Sequence, residues 1–387
     1  MKFIYIIVLI FFTQSVKAQE TLSSIIKENT QTFILDNNEF TGKGWNEILG
    51  VIKAHNNILI GEDHFFNEIP LFISKINNEV KFDNFFCEID PYTATILETK
   101  INKSSTSDLN TFTSSFSNTF SFFALEPEFN LLKKLVQANT KIIGTDQISL
   151  LSDRLIISEL KERSNNKTAK SIYSEIEKKS AIHFDQIING KKPYFLTNEF
   201  TKQLYILDSL VLSSYEQTVL KNLKLSQNIY SNGNHHLRVQ LMKHNLMENY
   251  KLIPNSKNLY KYGAGHLPKG ESLLKIQDIG NLVNNITDSQ FESSLHIMII
   301  GKSGIQGVPI KGMENQKLNP NSKDLKHYKV YFDTMDKNKW YVFNNKEILK
   351  KITSNKIKIE DKTLERVIKG YDYFIIIPKV TPAKFIN

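Results

Sequence analysis

A single cysteine in 387 residues, Cys87, rules out an internal disulfide. It sits in the apolar run "FFCEI", where a lone thiol behaves as a small buried hydrophobe. Beyond residue 18 no apolar run approaches the roughly 20 residues that a membrane helix needs, so stable membrane insertion of the mature chain is not expected. There is no internal repeat. Nor is there an Arg-rich helix, or a strand that interleaves basic and aromatic residues. The formal charge of +9 therefore comes from scattered lysines on a solvated surface, and no nucleic-acid partner is implied. With 41% hydrophobic and 23% charged residues, the chain has the balance of a folded protein.

The N-terminus is different. Lys2 precedes an apolar run from Phe3 to Phe12, and Val16-Lys17-Ala18 stand before Gln19. That charged, apolar, small-residue order predicts a signal peptide over 1–18 and a secreted or periplasmic product. An uncleaved anchor is the alternative, and the lack of a cysteine at the cleavage point speaks against a lipoprotein. Residues 19–387 then read as a single domain.

Several short apolar runs end in acids or histidines. "NILIGEDH" closes on Glu62 and His64, "FDNFFCEID" on Glu88 and Asp90, "TKIIGTDQ" on Asp146 and "NLYKYGAGH" on His266. "LHIMIIGKSG" and "YDYFIIIPKVTPA" follow without such an ending. Nearly continuous apolar runs suit strands covered on both faces. Helix-compatible stretches such as "NEIPLFISKINNEV" and "EFNLLKKLVQAN" lie between them. The pattern predicts an α/β fold, a mainly parallel central sheet flanked by helices, with reactive groups gathered at the carboxyl edge of the strands. Residues 151–230 have helical spacing and many Glu/Lys pairs, which predicts a helical insertion covering that edge. The Ser/Thr/Asn/Phe-rich segment 103–124 reads as a flexible flap or substrate-side loop, and the Lys/Asn-rich 310–360 as a peripheral elaboration.

The chemistry follows from the strand ends. An imidazole flanked by carboxylates can activate water, because one carboxylate fixes its tautomer and raises its basicity while another stabilises the charged form. His64 has Glu62 two residues before it and Glu68 four residues after, the latter near a helix start. Two imidazoles with carboxylates also suit a divalent ion, and Glu62, His64, Glu88 and His266 are the candidate ligands. Structural roles compete at each position. Glu62, Asp63 and His64 could form a polar capping loop, Asp146 could cap the following helix, and His266 in "GAGHLPKG" could occupy an ordinary turn. Glu88 inside "FFCEI" is harder to place structurally, because a buried acid needs a partner. In "YSNGNHHLRVQLMKHNLMENY", Leu237, Leu241, Met242, Leu246 and Met247 form an apolar helical face. Arg238 is placed either to pair with a carboxylate or to polarise a substrate oxygen, while His235 and His236 fit a solvated loop.

In order and spacing, "LIGEDHFFNE", "FFCEID", "IIGTDQ", "RVQLMKHN", "KYGAGHLPKG" and "YDYFIIIPKVTPA" resemble the erythromycin-esterase-like proteins. The likeness extends to their wider superfamily with the Tiki/TraB proteases and ChaN-type haem-binding uptake proteins. It covers the chain from about residue 45 onward. It implies an α/β core with a helical insertion and hydrolysis of a cyclic ester by activated water. The catalytic histidine falls on His64, acids on Glu62, Glu68 and Glu88, the helix arginine on Arg238 and the late histidine on His266. A single residue, Asp63, stands between Glu62 and His64 where the esterases carry two, a spacing closer to the Tiki and ChaN-type branch. The further histidines of the ChaN-type pattern are replaced by Phe65, Phe66 and Asn67. The expectation is an exported hydrolase acting on a small-molecule or peptide ester or amide, possible divalent metal included. The alternative is a non-catalytic protein binding haem or another apolar ligand.

Overall fold

A strand with apolar side chains on both faces is stable only where helices or loops cover both. The six apolar runs singled out above all form such strands. In the computed structural model, which describes residues 22–184, 186–336 and 338–386, the main strands are β1 Thr30–Asp36, β2 Glu39–Thr41, β3 Asn57–Glu62, β4 Asn84–Cys87, β5 Lys141–Gly144, β6 Asn258–Gly263, β7 Ser294–Gly301, β8 Trp340–Asn344 and β9 Tyr373–Ile377. Every residue of β3, β4, β6, β7 and β9 is buried. The expected signal peptide lies outside the described residues. Among the described residues no helix is long and apolar enough to cross a membrane.

The chain is α/β, with mostly parallel central strands flanked by helices. It forms two compact units. The first comprises the described residues up to His64 together with Tyr262–Gln306 and Lys317–Thr381. Its strand order is β2-β1-β8-β9-β7-β3. The pairs β9/β7 and β7/β3 are parallel, with Tyr373 opposite Ile297 and Leu59 opposite His296. The pairs β2/β1, β1/β8 and β8/β9 are antiparallel, with Phe33 opposite Trp340. Phe33, Phe40, Trp45 and Trp340 pack as a ring cluster against this antiparallel edge.

The second unit comprises Phe65–Lys261, Gly307–Gln316 and the residues from Pro382 on. Its strands run in the order β6-β4-β5, all parallel, with Phe86 opposite both Tyr260 and Ile143. Phe86 and Tyr260 stack at 4.6 Å between ring centroids. The expected insertion is present as the helices Asp153–Arg163, Lys167–Phe184, Asn198–Asp208 and Ser214–Asn232. They bury a core of their own that includes Ile156, Leu160, Tyr173, Phe200 and Leu220. Ser213 starts the last of these with a capping box, its hydroxyl accepting from the Glu216 amide while the Glu216 carboxylate accepts from the Ser213 amide at 3.0 Å. Ser213→Ala is expected to cost about 1 kcal/mol in urea unfolding, because the Glu216 amide then loses its hydroxyl acceptor.

Two expectations are corrected. Segment 103–124 is not a loop throughout, because the helix Thr106–Ser115 occupies much of it. Ser105 caps that helix by accepting from the Asp108 amide, and Phe112 packs on Phe116 and Phe120. The Ser/Thr richness reflects a cap and a solvated face. Nor is 310–360 peripheral. β8 lies inside the sheet of the first unit, with Trp340, Tyr341, Val342 and Phe343 buried.

Candidate functional site

In the first unit, the backbone at the carboxyl end of β3 is held by two further bonds. The Asp63 amide donates to Ile299 O at 3.1 Å, and the Ala264 amide donates to Glu62 O at 2.9 Å. Gly61 is required at this end. A Cβ on it would meet Tyr371 Oη at 2.6 Å, and that hydroxyl donates to Ala264 O. Glu62 is only 3% exposed, and its Oε1 lies 2.9 Å from His64 Nδ1. The carboxylate thus holds the imidazole at one nitrogen and directs Nε2 to whatever chemistry the ring performs. Gln306 Nε2 donates to His64 O at 3.1 Å and secures the backbone of the turn.

Asp63, between Glu62 and His64, has an electrostatic character of its own. Burial pushes its carboxyl up to about 7, Glu62 adds to the shift, and His64 and the Gly301 amide oppose it. An unfolded aspartate titrates near 4. Between about pH 4 and 7 the folded chain therefore holds more protons at this position than the unfolded chain, and stability falls as pH rises through that window. Asp63→Asn should remove this dependence, with a gain at pH 8 on the order of 2 kcal/mol that vanishes at pH 4 in parallel denaturant titrations.

His266 belongs to the same unit. It is buried, and its Nδ1 lies 3.0 Å from Asp278 Oδ2. Asp278 also caps the helix Ile279–Asp288, its Oδ1 accepting from the Ile279 amide at 2.7 Å. The Gly280 amide donates to His266 O, and Leu267 C would lie 2.2 Å from a Cβ on Gly280. Asp278 was not among the residues that the sequence pointed to. The signal was a helix-capping aspartate before "IGNLV", whose second oxygen was free to serve another residue.

Arg238, Glu88 and Asp146 come together in the second unit. Arg238 lies in the helix His235–Glu248, which Asn234 caps. Its Nε donates to Asp146 Oδ1 at 2.9 Å and its Nη2 to Asp146 Oδ2 at 2.5 Å, a bidentate pair. Nη2 also donates to Glu88 Oε1 at 2.7 Å. The two carboxylates hold the guanidinium proton more tightly than usual, against the opposing effect of burial. Asp146 is fixed further by accepting from the Gln147 amide, and Asn245 Nδ2 donates to Thr145 O. Gly144 allows this packing, since a Cβ on it would stand 2.4 Å from Asp90 O. Asp90 caps the helix Pro91–Lys103 through the Tyr92 and Thr93 amides. Glu68 opens the helix Glu68–Glu79.

Beside this cluster lies a cavity of about 310 Å³, lined in part by Phe65, Glu88, Phe122, Asp146, Gln147 and Arg238. Leu150, Leu151, Pro193 and Tyr230 add walls from the insertion, which thus covers the carboxyl ends of β4 and β5. Two non-glycine residues of the lining, Phe65 (φ 73°) and Ser121 (φ 53°), are held in the left-handed region. Strain of this kind persists only where surrounding structure imposes it, and it gathers at binding sites. Phe65 is held by its carbonyl, which accepts from the Gly307 and Ala383 amides.

No protein-family model and no curated protein matches the sequence. Solved structures do. A mutant of the erythromycin esterase EreC in its open conformation is similar over 92% of this chain and 99% of its own, with a TM-score of 0.58 and 12% identity. A Bacillus cereus protein is similar over 95% of this chain and 99% of its own, with a TM-score of 0.54 and 12% identity. A succinoglycan biosynthesis protein has the same TM-score at 11% identity. At these identities the likeness concerns the architecture: the chain has the fold of erythromycin esterase.

Proposed function

We propose that the chain is an exported hydrolase of the erythromycin-esterase-like superfamily, cleaving an ester or amide with water activated at His64. The observation that carries this reading is the 2.9 Å contact between His64 Nδ1 and the buried Glu62 carboxylate at the end of β3. Water adds to the carbonyl carbon while its proton passes to His64 Nε2. Glu62 stabilises the imidazolium, and the ring then returns the proton to the departing alkoxide or amine. His266, held at Nδ1 by Asp278, is assigned to the developing oxyanion. Arg238 serves Glu88 and Asp146, positioning both carboxylates, and Glu68 is kept as a further acid.

A divalent ion finds the outer support for its ligands here but not the ligand cluster itself. His64 and His266 each have Nδ1 held by a carboxylate, the support that ligating imidazoles usually receive. Yet among the described residues Glu62, His64 and His266 do not bring three donor atoms within 4.8 Å of one another. Glu62 and Glu88 already give one oxygen to His64 and Arg238 respectively. Such an ion would supply a water of lowered pKa.

The test is hydrolysis of a panel of lactones, aryl esters and anilides by purified protein and by His64→Ala, each with and without chelator. Turnover present in the first and lost in the second supports the reading, and loss on chelation adds the ion. Equal rates for the two proteins, or none for either across the panel, overturn it.

A further inference from the structure

The cavity in the second unit has a recognition chemistry that hydrolysis does not assign. Its charged lining is one guanidinium against two carboxylates, so Arg238 with Glu88 and Asp146 carries a formal excess of one negative charge. Two carbonyl oxygens of the lining have no hydrogen-bond donor, namely Gln147 Oε1, on a residue only 6% exposed, and Asn118 Oδ1. A buried acceptor without a donor is costly to keep, which makes these atoms a binding feature to be explained. The apolar wall is aromatic. Phe65 and Phe122 pack at 5.9 Å between centroids, and Tyr230 lines the same space. Negative charge, orphaned acceptors and ring faces share one complement, a cation that donates hydrogen bonds.

We propose that this cavity binds a small apolar molecule through a protonated amine, whose N–H groups donate to Gln147 Oε1 and Asn118 Oδ1 while its hydrocarbon part lies on Phe65 and Phe122. The volume is within the range of small-ligand sites. A carboxylate of the same shape is rejected, because it would face two acceptors and a negative excess. The proposal stands apart from the hydrolytic reading, so binding is measured apart from turnover.

The experiment is calorimetric titration of the whole protein with phenethylamine, 2-phenylethanol and 3-phenylpropionate at pH 7. Phenethylamine is expected to bind at least about tenfold more tightly than 3-phenylpropionate, with the alcohol between them. Gln147→Met keeps the side-chain length but removes the acceptor, and should weaken the amine about tenfold while leaving the alcohol less affected. Asn118→Leu provides the same comparison should Gln147→Met fail to fold. Equal or tighter binding of 3-phenylpropionate, no binding of any probe, or an unchanged amine affinity in the folded variants overturns the proposal. Amine selectivity without hydrolysis of any ester would remove the hydrolase and leave this site standing, whereas hydrolysis without amine selectivity would do the reverse.

Discussion

If the proposed hydrolysis runs through His64, His64→Ala is expected to lower its rate by a factor on the order of 10²–10⁴, the usual contribution of a positioned general base, and to leave the fold intact. The fold survives because His64 is partly exposed at a turn after β3, with its backbone held by Gln306 independently of the ring. Glu62→Gln is the sharper companion. A carboxylate 2.9 Å from Nδ1 raises the basicity of the imidazole and stabilises its charged form. A neutral amide does neither, and it allows the wrong tautomer. Glu62→Gln should therefore depress kcat rather than raise KM, and move the acid limb of the pH–rate profile to lower pH, since the base now deprotonates more easily. A purely structural Glu62 would change stability without shifting that limb. Unchanged kcat/KM in His64→Ala, with the same fold by near-UV circular dichroism, removes His64 from the reaction.

How much of this could be read beforehand depended on how each element is buried. β3, β4, β6, β7 and β9 were legible because strands covered on both faces are written as nearly continuous apolar runs. β1 escaped notice. Its sequence "TQTFILD" buries only Phe33 fully, as a strand paired antiparallel near a sheet edge does, and a search for continuous apolar runs passes over it. β8 was hidden by its setting, since "WYVFN" is flanked by the lysines and asparagines that made 310–360 look peripheral. The site divides in the same way. Glu62 with His64, and Glu88 with Asp146, were visible because each terminates or closely follows a strand. Asp278 was not, because its position at a helix start already explained an aspartate there, and only the fold shows its second oxygen on His266. Asp63 was not either. Neighbours in sequence do not reveal that one of three adjacent ionisable groups is desolvated enough to titrate near 7.

Arg238→Met should produce a large loss of stability, about 3 kcal/mol or more at pH 7 by urea unfolding. The substitution preserves most of the side chain's volume and its apolar stem, so packing contributes little to the difference. What it removes is the cation shared by Glu88 and Asp146, which are 5% and 9% exposed as side chains. Breaking a buried pair at one partner commonly costs about 3–5 kcal/mol, because the remaining charge stays desolvated without its compensation. Here one substitution uncovers two carboxylates, which then also repel each other. The lower end of the range applies because the Arg238 side chain is itself 22% exposed, so water can reach the cluster. The sign with pH follows from the same charges. Protonating either carboxylate relieves both desolvation and repulsion, so the deficit of Arg238→Met should shrink as pH falls toward 4. Removing the acids as well separates this account from a packing defect. The triple variant Arg238→Met, Glu88→Gln, Asp146→Asn should recover at least half of the stability that the single change loses, whereas a cavity left by the arginine stem would persist in it unchanged.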